Sequence, residues 1–310
     1  MRDLHPWLPV VRGECVPFGS RYRGREKGFS VRLSAFLIVL VIGIYFAAFV
    51  RYLFEFLKLR QARRSWAGRL VETGFLLHTL QIFVRTFSFS EAAAPLFYLP
   101  VRTLGETSSF FAWSLAFVYF ILVKRHRTEG FGLALAPVLV LFLIPSLVPF
   151  ETRPVLLPDL NNRYFLLHIL SAFFGYASFA LAFIAGALYL TQDRALKLKI
   201  HIDFYHNLPP LEELERFLFR TIFWGLVLLG GAIVTGGFWT KRAFGTFLLI
   251  EPKSLAALIT WLAYFVIMLL HEVSLMKGRR VILISVWAFA LVLFTFLGTS
   301  VFRLGLHVGV

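Results

Sequence analysis

YFLLHILSAFFGYASFALAFIAGALYLTQ, residues 164–192, holds no Asp, Glu, Lys or Arg and a single histidine, His168. A helix rises about 1.5 Å per residue, so roughly 20 apolar residues cross a hydrocarbon core about 30 Å thick. This run exceeds that length. Its continuity also excludes the alternating pattern of a barrel strand, so it reads as a membrane helix whose backbone groups are paired internally. Working outward, the runs 34–57, 69–86, 107–123, 131–150, 217–240, 254–271 and 281–302 have the same character. The 310-residue chain is 58% hydrophobic and 16% charged, with mean hydropathy +0.75. The expected fold is an all-α polytopic membrane protein, a bundle of about eight transmembrane helices.

The formal net charge of +15 would suit nucleic acid, but its placement argues against that partner. Lys and Arg collect in alternate connections: Lys58, Arg60, Arg63, Arg64 and Arg69; Lys124, Arg125 and Arg127; Arg194, Lys197, Lys199 and Arg216; Lys277, Arg279 and Arg280. The positive-inside rule puts those connections in the cytoplasm. The loops 87–106, 149–163 and 238–253 and the C-terminus then lie outside, in an inner or plasma membrane. Residues 1–33 form a basic tail that parity places outside, against the rule. Cys15 is the only cysteine, so the chain carries no CxxCH for covalent haem attachment and no disulfide framework. No cleavable signal peptide is read before residue 33. Pro137, Pro145 and Pro149 are expected to bend or end the fourth helix.

Four of eight histidines sit in or beside apolar runs: His78, His168, His271 and His307. His168 opens the fifth helix and His307 follows the eighth, so both belong to the outer surface. His271 closes the seventh helix, about 25 Å deeper, and His78 lies near the middle of the second. An ionisable side chain in a bilayer must be paired or face a cavity. A lone intramembrane histidine is most often an interhelical hydrogen bonder. Two at one depth make a different proposition, because imidazole suits iron and a bis-histidine site takes one ligand from each side of a porphyrin. His201, Asp203 and His206 lie in a charged linker and read as a solvated face.

Over most of residues 70–310 the order of features resembles the CcsA/CcmC family of cytochrome c assembly proteins. The stretches that carry the likeness are GFLLHTLQIFVR (74–85) with Glu106 and SSFFAW (108–113), the His168 helix, LPPLEELERFLFR (208–220), TGGFWT (235–240), ALITWLAYFVIMLLH (257–271) with KGRR (277–280), and GTSVFRLGLHVG (298–309). The resemblance implies that residues 34–310 form a haem-handling domain binding haem b non-covalently. His168 and His307 would be axial ligands of an outer haem, and His271 the transmembrane ligand. The second ligand of the deeper haem would come from a CcsB-type membrane subunit, or from His78 in this chain. An apocytochrome c would be the recipient.

The family's tryptophan-rich platform corresponds to residues 236–254. Here it keeps Trp239, Gly245, Pro252 and Lys253, while Phe244, Phe247, Leu248 and Ile250 stand where Trp or Tyr is usual, and Glu251 and Ser254 replace Asp and Glu. Phe supplies flat apolar area, whereas Leu and Ile cannot stack and none offers an indole N–H. Trp239, Phe244 and Phe247 are therefore the candidate porphyrin contacts, and Lys241, Arg242 and Lys253 the candidate propionate partners. Three functions follow: a haem transport and ligation component, alone or within a haem lyase; a membrane regulator of tetrapyrrole synthesis of the HemX type, which the altered platform favours; and an unrelated permease using the small-residue cluster GGAIVTGG (230–237).

Overall fold

The computed structural model describes residues 25–57, 66–93, 99–101, 103–122, 128–148, 163–199, 208–247 and 252–295. Among them every regular element is helical: α1 (Arg25–Leu57), α2 (Trp66–Ala93), α3 (Leu104–Leu122), α4 (Thr128–Leu143) with a 3-10 turn (Ile144–Leu147), α5 (Arg163–Lys197), α6 (Leu211–Phe244), α7 (Pro252–Glu272) and α8 (Arg279–Leu293). The eight helices match the eight apolar runs. Six are long and apolar enough on their own to cross a membrane; α2 and the described part of α8 are the other two. The protein is thus an all-α, multi-pass membrane protein. Its lipid-facing surface is itself apolar, with Trp287, Leu76 and Phe36 each more than half exposed.

Several boundaries differ from the sequence reading, and at α1 and α2 the helix outruns the apolar run. α1 begins at Arg25, inside the expected tail 1–33, and α2 continues to Ala93, well into the expected loop 87–106. Apolar run length measures only the segment that meets hydrocarbon; beyond it, the helix continues in the polar zone wherever the residues favour it. α4 runs through Pro137 but stops at Leu143, ahead of Pro145, which opens the 3-10 turn. Pro149, the rest of loop 149–163 up to residue 162, residues 1–24 with Cys15, and the polar histidines of tail and linker lie outside the described residues.

Successive helices pack antiparallel, and α5 and α6 form the tightest pair. A Cβ on Gly175 would lie 2.9 Å from the Leu229 backbone nitrogen, and one on Gly225 would meet the Phe179 ring at 2.5 Å. Small residues let the two backbones approach where lipid offers no hydrophobic drive. The GGAIVTGG cluster accordingly serves packing. Gly230 receives the Trp261 indole from α7, whose N–H donates to the Leu226 carbonyl at 2.9 Å, and Gly236 and Gly237 receive His168 and Phe247.

Candidate functional site

α5 begins and α6 ends at one rim of the bundle, and their pairing builds a seat for His168. Its Nδ1 lies 2.7 Å from the Ala232 carbonyl oxygen. A carbonyl only accepts, so Nδ1 carries the proton and Nε2 the lone pair, the tautomer that can ligate a metal. The ring rests on Gly236, where an added Cβ would stand 2.6 Å from Nδ1 and 2.9 Å from Cε1. Ala232 and Gly236 are one helical turn apart, so one small-residue face supplies both the acceptor and the space.

Residues 236–244, read from sequence as part of a loop, are the last turns of α6, and 252–254 are the first turn of α7. The connection between the two helices is then 245–251, of which 245–247 are described. Gly245 ends α6 in the left-handed conformation, φ 79°, with its N–H on the Lys241 carbonyl, and Pro252 suits the first position of α7. Because the segment is helical, its residues take distinct faces. Trp239 is only 2% exposed, between Phe165 at 5.2 Å and Phe244 at 5.9 Å between ring centroids. It is a buried support, not an open platform. Phe244 and Phe247 remain 37% and 46% exposed. Phe247 folds back over Gly237, with its carbonyl accepting from Thr240 Oγ1 at 3.0 Å, and meets Phe238 edge to face. Tyr164 stacks on Phe238, with the Arg163 guanidinium 5.3 Å from the Tyr164 ring centroid, so these two rings extend the apolar rim. Lys241 and Arg242 project from the last turn of α6 and Lys253 sits half-buried in the first turn of α7. His307, the other expected outer ligand, lies outside the described residues, as do Leu248, Ile250 and Glu251.

His271 lies at the opposite end of α7. Its imidazole is parallel to the ring of Phe219 on α6, with centroids 3.4 Å apart and planes at 10°. Its Nδ1 is buried without a hydrogen-bond partner. His168 and His271 therefore stand at the two ends of the α5–α6–α7 unit, as their places in the sequence implied.

His78 belongs to neither layer. It is fully buried among α1, α2 and α3, with Nε2 3.0 Å from Ser109 Oγ and the Tyr45 ring edge-on at 6.2 Å. Along the same seam Arg85 donates to Glu106 Oε1 through Nε and Nη2 at 3.0 and 2.9 Å, and the Trp113 indole donates to Thr79 at 2.9 Å. The motif residues of α2 and α3 thus meet one another and join two helices. His78 acts here as the interhelical hydrogen bonder that a lone membrane histidine usually is. Among the described residues no three His, Cys, Asp or Glu side chains gather as a metal-binding group.

Sequence reasoning missed Tyr164, Phe238 and Phe219. Each is one aromatic among 36 Phe and 10 Tyr, with no local signal separating it from a lipid-facing ring. Gly236 was visible as part of a small-residue pair, but not its role.

Residues 101–307 match the family described as cytochrome C assembly protein. The cytochrome c biogenesis protein CcsA of Prochlorococcus marinus (strain MIT 9312) is 25% identical over 257 residues, covering 75% of this chain and 80% of the relative. CcsA of Guillardia theta is 26% identical over 229 residues, covering 68% and 76%. Protein HemX of Brevibacillus brevis is 31% identical over 226 residues, covering 70% and 77%.

Proposed function

Because the chain belongs to the cytochrome c assembly protein family, we propose that it works in cytochrome c biogenesis, holding haem in the membrane and presenting it for attachment to an apocytochrome c. The observation that carries this reading is the seat of His168. The Ala232 carbonyl holds the proton on Nδ1, which makes Nε2 the nitrogen with the lone pair, and a glycine notch fits the ring. This is the outer support that metal-ligating histidines typically have.

The residues present fit a haem. His168 Nε2 and His307 would hold its iron. Phe244 and Phe247 offer flat apolar faces, backed by Phe238 and Tyr164, while buried Trp239 stiffens the rim from within. Lys241, Arg242 and Lys253 supply cationic donors suited to propionates. Bound haem supplies the vinyl groups that take up the thiols of the recipient; the protein orients it. With one cysteine and no CxxCH, the chain would hold it non-covalently, as haem b. His271 is the ligand of the deeper site, and since His78 is engaged with Ser109, a CcsB-type subunit is the better source of the partner ligand. In this orientation the turn 245–251 and the C-terminus face outward from a plasma or inner membrane.

The test is an absorption spectrum of the purified protein, oxidised and reduced. A low-spin bis-histidine spectrum is expected, and His168→Gly should remove the outer component, with added imidazole restoring it. A protein that stays colourless and takes up no added haem overturns the reading.

One observation favours a second reading. The chain is 31% identical to a HemX protein, and its platform lacks the family's tryptophans. A membrane regulator of tetrapyrrole synthesis is that alternative. Deletion separates the two: loss of membrane c-type cytochromes supports assembly, whereas normal cytochromes with altered levels of a tetrapyrrole enzyme support regulation.

A further inference from the structure

The two candidate ligands are held by different physics. His168 is oriented by a hydrogen bond, whereas the ring of His271 has none at Nδ1 and is oriented by a face-to-face contact with Phe219. Rotation about the terminal torsion of histidine has a broad, two-fold profile, so a ring with no polar anchor keeps its plane only if packing imposes one. Phe219 can impose it, because it is itself 5% exposed.

The backbone around the pair is clamped as well. One turn before Phe219, Glu215 Oε1 accepts from the Gly278 N–H at 3.3 Å, in the turn that follows His271. Asp193 at the end of α5 pairs with Lys197 at 2.8 Å and reaches Arg279 at 3.6 Å. Within the turn, the Ser274 N–H donates to the His271 carbonyl and the Met276 N–H to that of Leu270. α6 therefore contributes two successive turns to the same neighbour, Glu215 holding its backbone and Phe219 its ring.

We propose that Phe219 is a positioning residue that sets the plane of the His271 imidazole when that histidine ligates haem iron; this rests on the haem reading above. An axial imidazole keeps one rotational freedom, about the iron–nitrogen bond, and the overlap of its π orbitals with those of iron depends on that angle. Stacking removes the freedom without Phe219 touching the iron. A ring that only filled space could be replaced by an aliphatic side chain of similar bulk with no spectroscopic consequence.

The experiment uses the full-length protein carrying His168→Gly, purified together with the CcsB-type subunit that supplies the second ligand, so that only the His271 site is read, and records low-temperature electron paramagnetic resonance of the ferric form. Phe219→Leu should shift and broaden the largest g value and weaken haem retention about tenfold, while Phe219→Tyr, which keeps the aromatic face, should restore both. If Phe219→Leu does not fold, Phe219→Met carries the same expectation. An unchanged g value in a folded Leu or Met variant overturns the proposal, as does a Tyr variant as altered as Leu. Adding His271→Gly separates the two levels. If it removes a signal that Phe219→Leu leaves untouched, the haem reading stands and the role of Phe219 falls; if no signal depends on His271, the deeper site and the role of Phe219 fall together, and the outer site is decided by the His168→Gly spectrum.

Discussion

At the scale of the residue, the informative contrast is between glycines on one helix. A Cβ on Gly236 would stand only 2.6 Å from His168 Nδ1, too close to fit, while a Cβ on Gly231 would meet nothing within 4 Å. Both sit inside α6, so either Gly→Ala change should improve helix propensity by roughly the same amount, up to about 1 kcal/mol. Gly236→Ala should nevertheless displace the ring from the Ala232 carbonyl and weaken haem binding about 10- to 100-fold, whereas Gly231→Ala should leave it unchanged. Titration of both purified variants with haem measures the difference. The separation of His168 and His271 to opposite ends of the bundle was legible, because an imidazole in an apolar run is conspicuous and its place in the run gives its depth. The burial of Trp239 was not: whether an indole faces ligand or core depends on the phase of the helix through residues 236–244, which a list of residues does not reveal.

At the scale of the element, α5 and α6 act as one unit. Their antiparallel contacts run from Gly186 against Leu218, through Gly175 against Leu229, to His168 against Gly236. A methyl group at Gly175 would stand 2.9 Å from backbone, which cannot rotate away, so Gly175→Ala should push the helices apart. The expected cost is about 1–3 kcal/mol, read as a lower midpoint of thermal unfolding in detergent. Since the same pair carries the His168 seat, the haem affinity of this variant should fall as well. The α2–α3 seam shows the opposite balance of legibility. His78, Arg85, Glu106 and Trp113 were recognised together from their order along the chain, yet two of them pair with each other and the other two with Ser109 and Thr79. Order along two helices says which residues recur, and the register between the helices says which of them touch.

At the scale of the whole molecule, topology decides which site faces which compartment. By the positive-inside rule, the alternation of Lys and Arg between connections leads us to expect Lys241 outside and Arg280 inside. With Cys15→Ser removing the only native thiol, Lys241→Cys should react with a membrane-impermeant maleimide on intact cells, and Arg280→Cys only after permeabilisation. The reverse result would invert the bundle and turn the His168 seat to the cytoplasm.

Membrane class, the eight helices and the separation of His168 from His271 all follow from run length and charge, because hydrocarbon thickness and unpaired backbone groups act on every residue alike and leave a mark in composition. The pairing of α5 with α6, the tautomer of His168, the Phe219–His271 stack and the withdrawal of Trp239 into the core do not. Each depends on which faces of two distant segments meet and at what register, and inside lipid those choices are made by packing between side chains remote in the chain, where almost every residue is apolar and a local pattern carries little to tell them apart.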